Sequence, residues 1–426
     1  MKRIVCLGAG ESGVGAAILA RKMGFDAFVS DSGAIKDQYK QMLRDHGIGW
    51  EEHGHTESLI VSADEVVKSP GIADSAAMVQ RLRAQGTHII SEIEFAGRYT
   101  DARMICITGS NGKTTTTSLI HHILRKAGMD AGLAGNIGRS LALQVAEEGH
   151  ETYVVELSSF QLDGMYDFRV NIAVLMNITP DHLDRYDFRM ENYAASKMRI
   201  VQNQTPDDAF IYWADDKWIG STPWPSTRGR AYPFTAESQL PGGLDKSLLA
   251  LKGRHNLLNS LAAAKAAELA GVPMEIIHAG LQDFPGVEHR LQYVREVGGV
   301  EFFNDSKATN VDACRYALES MIRPTVLILG GLDKGNDYGE IRDLVGEKCI
   351  GLVYLGVDNR KLHENFDALG LPVKDVRNMK DCVAECVGMS HRGCAVLLSP
   401  CCASFDLFRN MEDRGKQFMD NVWLVE

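Results

Sequence analysis

The sequence predicts an α/β protein of three domains, for two reasons. Short apolar runs that end at glycine-rich or polar turns alternate with helical patterns along the chain, which is typical of doubly wound, mostly parallel sheets. The length of 426 residues also fits about three domains. We therefore expect a Rossmann-like domain over residues 1–92, a central domain with a mostly parallel sheet over 93–286, and a second Rossmann-like domain over 287–426.

The first predicted domain opens with a nucleotide-binding pattern. A strand is predicted over residues 4–7, and the run Gly8-Ala9-Gly10-Glu11-Ser12-Gly13 then opens a helix. A second predicted strand, 27–30, ends at Asp31. This is the dinucleotide fingerprint, which by itself favours an NAD-linked dehydrogenase, although any nucleotide diphosphate could use the same turn. Asp31 could alternatively only cap a turn.

The central predicted domain carries a phosphate-binding loop. An apolar strand over 104–107 leads into Thr108-Gly109-Ser110-Asn111-Gly112-Lys113-Thr114-Thr115, and a helix is predicted over 116–126. Backbone N–H groups and the helix dipole would hold an anion there, with Lys113 at the outer phosphates and the Thr114 hydroxyl on Mg²⁺. The strict motif has glycine where this chain has Ile107, so a chance match in a structural turn is the alternative.

A candidate Mg²⁺-binding carboxylate follows the predicted phosphate-binding loop in the sequence. Glu156 ends a predicted strand over 152–157, and a carboxylate at a strand end beside a phosphate loop is a usual Mg²⁺ ligand. Helix capping is the alternative. His182 on its own fits a structural histidine, and Lys197 fits a solvated helix lysine.

Polar turns follow the other predicted strands as well. In the first domain Ser69-Pro70-Gly71-Ile72 follows a strand over 65–68, although plain turn chemistry would also explain it. The third domain has four such strands, at 300–304, 325–329, 352–355 and 395–399. Because ligands of open α/β sheets bind at the carboxyl edge of the strands, these turns predict binding faces.

Composition excludes several classes of protein. A net charge of −11 argues against a nucleic-acid surface. No apolar run reaches the roughly 18 residues of a membrane span, and the N-terminus lacks a signal-peptide layout. Nine cysteines without metal-ligand spacing fit reduced thiols. We expect a cytoplasmic protein with small-molecule partners, no nucleic acid and no membrane.

Motifs spread over the chain add a family resemblance. They are Thr108 to Thr114, Gly135-Asn136-Ile137-Gly138, Glu156 to Leu162, Asp181-His182-Leu183-Asp184-Arg185-Tyr186, Lys197, Gly253 to Asn256, His289-Arg290, Asn304 to Asn310, Ser399 to Ser404 and Arg414-Gly415. With these motifs the chain resembles the bacterial Mur ligases over essentially its full length, and within them the members that add D-glutamate. The family's form of the phosphate loop also matches the variant found here.

The resemblance implies a reaction in peptidoglycan precursor synthesis. ATP would phosphorylate the terminal carboxylate of a UDP-sugar substrate, UDP-N-acetylmuramoyl-L-alanine, to an acyl phosphate. The amine of D-glutamate would then attack, giving an amide, ADP and phosphate. The first domain would bind UDP instead of NAD, the central domain would be P-loop ATPase-like, and the enzyme would act as a monomer.

The resemblance also implies roles for individual residues. The catalytic residues would be Lys113, Glu156, His182 and Lys197. Two Mg²⁺ sites would use Thr114 with Glu156, and His182 with a carbamylated Lys197. ATP would contact Gly109, Ser110, Asn111, Gly112, Lys113, Thr114, Thr115, Asn256, Asn259, Arg290 and Asp305. The UDP-sugar would contact Glu11, Ser12, Asp31, Ser32, Gly71 and Asn136. D-glutamate would contact Lys307, Thr309, Lys334 and Ser404.

One position departs from the family pattern, and three other functions compete. Met411 stands where the family usually has Phe near the amino-acid pocket. The alternatives are another amide ligase of the superfamily, such as a folylpolyglutamate synthase, a dehydrogenase, and a non-catalytic ATP-binding regulator. The dehydrogenase would leave everything after residue 31 unexplained, and Lys113, Glu156 and His182 argue against the regulator.

Overall fold

The computed structural model describes residues 1–224, 229–333 and 335–426. The chain forms two compact units, one of Met1–Leu249 with Leu257–Phe284 and one of Ala250–Asn256 with Pro285–Glu426. The first unit contains two sheets and the second contains one. The boundaries 92/93 and 286/287 of a three-domain division stay a prediction.

The first sheet is fully parallel, in the order β3-β2-β1-β4-β5. Its strands are β1 (Arg3–Leu7), β2 (Asp26–Ser30), β3 (Gly49–Glu51), β4 (Glu65–Lys68) and β5 (His88–Ile90). Its helices are α1 (Glu11–Lys22), α2 (Asp37–Asp45), α3 (Glu57–Ile60), α4 (Ala77–Ala84) and α5 (Glu92–Gly97). The central strands are apolar and buried, which is why the chain pairs them in parallel with helices on both faces.

The second sheet is also parallel, in the order β11-β10-β9-β6-β8-β7. Its strands are β6 (Arg103–Thr108), β7 (Ala131–Gly135), β8 (Thr152–Glu156), β9 (Ile172–Leu175), β10 (Ala209–Trp213) and β11 (Arg230–Phe234). The helices over this part of the chain are α6 (Lys113–Lys126), α7 (Leu141–Glu147), α8 (Ser159–Leu162), α9 (Met190–Met198), α10 (Lys217–Ser221), α11 (Arg254–Ala270) and α12 (Met274–Asp283).

The third sheet has the order β12-β13-β17-β14-β15-β16, with only β12 antiparallel to its neighbour. Its strands are β12 (Gln292–Val297), β13 (Val300–Asn304), β14 (Thr325–Gly330), β15 (Cys349–Leu355), β16 (Val373–Val376) and β17 (Ala395–Cys401). Its helices are α13 (Val311–Ser320), α14 (Gly339–Lys348), α15 (Arg360–Phe366), α16 (Met379–Met389) and α17 (Met411–Trp423).

The α/β prediction with mostly parallel sheets is confirmed. The strands that sequence analysis missed, such as β12 and β16, lie at sheet edges and are only partly buried, so they lack a continuous apolar run. Helix α6 begins at Lys113, three residues before the predicted start. All nine cysteines are buried free thiols. Over the described ranges, no helix is both long and apolar enough to cross a membrane.

Helix α1 approaches the first glycine turn very closely. A Cβ at Gly13 would lie 1.9 Å from the carbonyl oxygen of Gly8, whose own φ is +90°. By contrast, a Cβ at Gly10 would meet nothing within 4 Å. The fingerprint glycines therefore have different physical roles, because close packing requires Gly13, and also Gly8, where a Cβ would lie 2.6 Å from Ser69 Oγ, but not Gly10.

We expect Gly13→Ala to destabilise the protein by about 1–3 kcal/mol, because the helix must move away from β1. Thermal denaturation measures this, with Gly10→Ala as the matched control that should stay close to wild type. Equal melting temperatures for the two variants would contradict the packing argument.

Candidate active site

The phosphate loop joins β6 to α6. Two of its glycines have a positive φ, Gly109 at +147° and Gly112 at +83°. A Cβ at Gly109 would lie 3.0 Å from that of Met176, so the loop packs tightly on the end of β9. The first intrahelical bond of α6 runs from the Thr116 N–H to the Gly112 carbonyl. The preceding N–H groups lie at the positive end of the helix dipole, where an anion is stabilised.

Asn177, just after β9, fixes the phosphate loop by hydrogen bonds to Ser110 and Asn111. Its backbone carbonyl accepts the Ser110 N–H at 2.9 Å, and its Oδ1 accepts the Asn111 N–H at 2.8 Å. Its Nδ2 also donates to the Asn111 carbonyl at 3.0 Å. The backbone N–H groups of Ser110 and Asn111 are therefore hydrogen-bonded within the protein. The N–H groups that could bind a phosphate are those at the start of α6. Sequence analysis missed Asn177, which lies two residues beyond the end of β9.

Two lysines meet at one carbonyl oxygen. The Nζ atoms of Lys113 and Lys197 each donate to the Gly109 oxygen at 2.8 Å. Lys197 is 1% exposed, and its amine lies 4.6 Å from the centre of the Tyr193 ring. Burial, and next the charge of Lys113, hold the pKa of Lys197 well below its usual value. The interpretation of Lys197 as a solvated helix lysine is therefore wrong.

Glu156 lies directly beside the phosphate loop. It is paired with Ile107 across β8 and β6, and it is 1% exposed. Its Oε1 accepts a hydrogen bond from Asn136 Nδ2 at 2.8 Å, while its buried Oε2 has no partner among the described residues. Helix capping is excluded as its role, because Ser158 caps α8. A buried carboxylate oxygen without a partner fits a cation ligand.

His182 is not a buried structural histidine. Its backbone is left-handed at φ +52°, and its side chain is 55% exposed. The ring lies edge-on to Phe160 at 5.2 Å, and Nε2 is 3.6 Å from Asp181 Oδ1. Within the described part of the chain, no group of three or more His, Cys, Asp or Glu is arranged to hold a metal. The predicted metal ligands therefore stay a prediction.

The predicted UDP-sugar residues lie at the start of α1 and in the loops after β2, β4 and β7. Asp31 accepts the Ala9 N–H at 2.6 Å and the Gly33 N–H at 2.7 Å, so it does cap the turns at this edge. Glu11 accepts the Ser140 N–H at 3.0 Å. Ser12 is half-buried, whereas Ser32 and Gly71 are exposed. The loop after β7 connects this edge to the phosphate loop, because Asn136 contacts Glu156 and Ser140 contacts Glu11.

In the second unit Asp305 is a buried acid at the end of β13. Its carboxylate accepts the Leu291 N–H at 3.0 Å and the Ser399 hydroxyl at 2.9 Å. Burial raises the pKa of Asp305 to about 7, against the opposing effect of the Arg290 charge. The Nε of Arg290 is buried without a hydrogen-bond partner among the described residues.

The remaining predicted residues differ in their surroundings. Lys307 donates its backbone N–H to the His289 carbonyl at 3.0 Å, Thr309 is exposed, and Ser404 is 2% exposed. Lys334 lies outside the described residues. The side chain of Asn256 donates to the Lys252 carbonyl. Asn259 belongs to the first unit, where its Oδ1 accepts the Thr116 hydroxyl at 3.3 Å. The residues predicted to contact ATP thus belong to two different units of the chain.

Three family models match the chain. They are the MurD N-terminal domain over residues 3–78, the Mur ligase middle domain over 107–223, and the Mur ligase, glutamate ligase domain over 289–402. The chain belongs to the Mur ligase family. The predicted resemblance is therefore confirmed.

Similar proteins agree with this assignment. A UDP-N-acetylmuramoylalanine--D-glutamate ligase of Bacteroides fragilis is 62% identical over 99% of each chain, and one of Porphyromonas gingivalis is 52% identical over 98% of each. The crystal structure of UDP-N-acetylmuramate-alanine ligase from Thermotoga maritima is 18% identical over 100% of each chain, with a TM-score of 0.64. The folylpolyglutamate synthase of Mycobacterium tuberculosis is 13% identical over 79% of this chain and 93% of its own, with a TM-score of 0.60. At such identities the two solved structures show the three-domain fold of this Mur ligase family member.

Glu92 is a buried carboxylic acid between the first two sheets. It is 2% exposed, and its Oε1 accepts the Ser140 hydroxyl and the Ala142 N–H at the start of α7. Burial raises the pKa of Glu92 to about 7, and the nearby Glu11 charge adds to the shift. The folded protein therefore prefers the protonated acid, and ionisation costs stability as the pH rises from about 4.5 to about 7.

We expect Glu92→Gln to raise the melting temperature by several degrees at pH 8 and to have little effect at pH 5. The amide keeps the acceptor oxygen but cannot ionise. Thermal denaturation at both pH values measures the difference, with the exposed Glu275→Gln as a control for the lost charge. A change that is the same at both pH values would contradict the buried-acid explanation.

Proposed function

We propose that this chain is an ATP-dependent ligase that joins D-glutamate to UDP-N-acetylmuramoyl-L-alanine in cytoplasmic peptidoglycan precursor synthesis. The observation that carries the proposal is the 62% identity, over 99% of the chain, to a relative named for this activity. The phosphate loop with its helix-start donors supports a nucleoside triphosphate as the energy source. We also propose that the enzyme is a monomer of three domains, 1–92, 93–286 and 287–426.

The chemistry explains why ATP is needed. A free carboxylate is a poor electrophile, and phosphorylation provides a leaving group that the amine of D-glutamate can displace. Such transfers depend on positioning and on neutralising charge. The start of α6 would bind the phosphates, and Lys113 would neutralise the transferred phosphoryl group. To do so its amine must leave the carbonyl oxygens of Gly109 and Ser110, each 2.8 Å away.

We propose the other roles from the family resemblance. Mg²⁺ held by Thr114 and Glu156, and a second ion held by His182 and modified Lys197, would offset phosphate charge. Asn256, Asn259, Arg290 and Asp305 would contact the nucleotide, and Lys307, Thr309, Lys334 and Ser404 would position D-glutamate. The edge with Glu11, Ser12, Asp31, Ser32, Gly71 and Asn136 would bind the UDP-sugar.

The direct test measures phosphate released from ATP in the presence of UDP-N-acetylmuramoyl-L-alanine and one amino acid. We expect turnover with D-glutamate, and none with L-glutamate or L-lysine. Release with L-lysine alone would instead identify a different amide ligase, and tight NADH binding would favour a dehydrogenase.

Lys113→Ala should lower kcat by about three orders of magnitude while leaving the melting temperature near that of wild type, because a phosphoryl-neutralising charge is lost. Lys126→Ala is the matched control, since Lys126 lies on the same helix and only forms a surface ion pair with Asp283. An active Lys113→Ala enzyme would overturn the proposed role.

Lys197 should be carbamylated in the active enzyme. An ammonium group cannot ligate a cation, and two cations at about 4 Å repel by about 4 kcal/mol at an effective dielectric of 20. Reaction with CO₂ requires a neutral amine, and the lowered pKa of buried Lys197 favours that form. The carbamate would be a carboxylate-like oxygen ligand for a hard cation.

The test is Lys197→Ala, assayed with and without an added short-chain carboxylic acid. We expect a strong loss of activity and partial recovery with the acid, which can occupy the vacated position. Lys113→Ala should show no recovery under the same conditions. Full activity of Lys197→Ala without the acid would rule out the carbamate.

A further inference from the structure

Arg414, on α17, is the largest side chain that the described part of the chain buries completely, with 1% of its surface exposed. A buried guanidinium normally pairs with a carboxylate. Here no carboxylate of the described residues lies within ion-pair distance, and its partners are neutral oxygens. Burial lowers the pKa of Arg414 to about 10, so the group remains a cation at neutral pH.

The guanidinium donates hydrogen bonds to the loops after two adjacent strands and lies beside the loop after a third. Its Nε donates to Ser306 Oγ at 3.0 Å and one Nη donates to the Ser306 carbonyl at 2.8 Å, just after β13. The other Nη donates to the Cys402 carbonyl at 3.1 Å, just after β17. A Cβ at Gly331, just after β14, would lie 3.3 Å from this second Nη. These strands are neighbours in the order β13-β17-β14.

The same three loops contain the proposed amino-acid and nucleotide residues. Asp305, Lys307 and Thr309 flank Ser306, and Ser404 is two residues beyond Cys402. Ser306 Oγ also donates to the Met411 carbonyl at 2.8 Å, so the start of α17 is fixed to the first of these loops. A shift of the guanidinium would therefore move all of them together.

We propose that Arg414 is a positioning residue for D-glutamate, which fixes the loops after β13 and β17 with one guanidinium group that also lies beside the loop after β14. The proposal rests on the proposed function. A methionine would fill a similar volume without burying a charge, so packing alone does not explain an arginine here. Its planar fork can hold two carbonyls and a hydroxyl at fixed angles, which a single ammonium cannot do.

The Arg414 cation also affects the charge at the carboxyl ends of β13, β17 and β14. Burial lowers the pKa of Arg414, against the charges of neighbouring groups that include the Asp406 and Asp305 carboxylates. A cation held at this edge favours anionic ligands, such as the carboxylates of an amino acid. The positive charge of Arg414 and the planar geometry of its guanidinium therefore have effects that different substitutions can separate.

The experiment compares Arg414→Lys, Arg414→Met and Ser306→Ala with wild type in the phosphate-release assay. Arg414→Lys keeps the charge without the planar guanidinium, and Arg414→Met removes both. Ser306→Ala keeps Arg414 and removes the hydroxyl that accepts from Nε and donates to the Met411 carbonyl. The control is Lys416→Met on the same helix, whose side chain is 68% exposed. Each KM, kcat and the melting temperature are measured.

We expect the KM for D-glutamate to rise about tenfold in Arg414→Lys and in Ser306→Ala, the loss of roughly one hydrogen bond to a charged group. In Arg414→Met it should rise about 100-fold, as a misplacement of about 1 Å can cause. The KM for the UDP-sugar should stay unchanged. A merely destabilised enzyme would differ, because its kcat would fall without a selective rise in the KM for D-glutamate.

A D-glutamate KM near the wild-type value in Arg414→Lys and Ser306→Ala would overturn the inference, and so would an equal rise in every KM. If Arg414→Met does not fold, the other two variants decide the question. Failure of the proposed function would give a different result from failure of the Arg414 proposal, because the wild-type enzyme itself would then show no turnover with D-glutamate.

Discussion

The phosphate loop must keep the first N–H groups of α6 available to a ligand, so the rest of the loop has to be held by other parts of the protein. The parallel register of the second sheet provides this. In this sheet β6 lies between β8 and β9 and leads directly into the phosphate loop. Glu156 at the end of β8 therefore lies on one side of the loop, and Asn177 just after β9 lies on the other. Asn177 takes the N–H groups of Ser110 and Asn111, and the donors that remain are those that the helix start orients.

The same arrangement creates an electrostatic conflict that the protein resolves by burial. Two amines share the Gly109 carbonyl oxygen, and both could be charged only at a large cost. Lys113 is half-buried and Lys197 is almost completely buried. Burial, and next the charge of Lys113, lower the pKa of Lys197, so the neutral amine is favoured there relative to an exposed lysine.

Sequence analysis predicted most of the fold because the central strands of parallel sheets are continuous apolar runs. Strands β1, β4, β6 and β13 were found within a residue of their ends, and the phosphate loop was found because its residues are contiguous. Edge strands such as β12 and β16 were not predicted, since half-buried segments have weak periodicity. Nothing in a single sequence distinguishes them from loops.

The site residues that were missed share a different property. Asn177 and Glu92 act through partners that are 66 and 48 positions away in sequence. Arg414 belongs to a family motif, but sequence analysis assigned it no role, because its partner Ser306 is 108 positions away. The role of a buried polar group is recognisable only from the contacts that offset its desolvation. Asp31 shows the converse. Its position in the fingerprint predicted a ligand contact, yet both carboxylate oxygens accept hydrogen bonds from backbone N–H groups, so shaping the glycine turn is its first role.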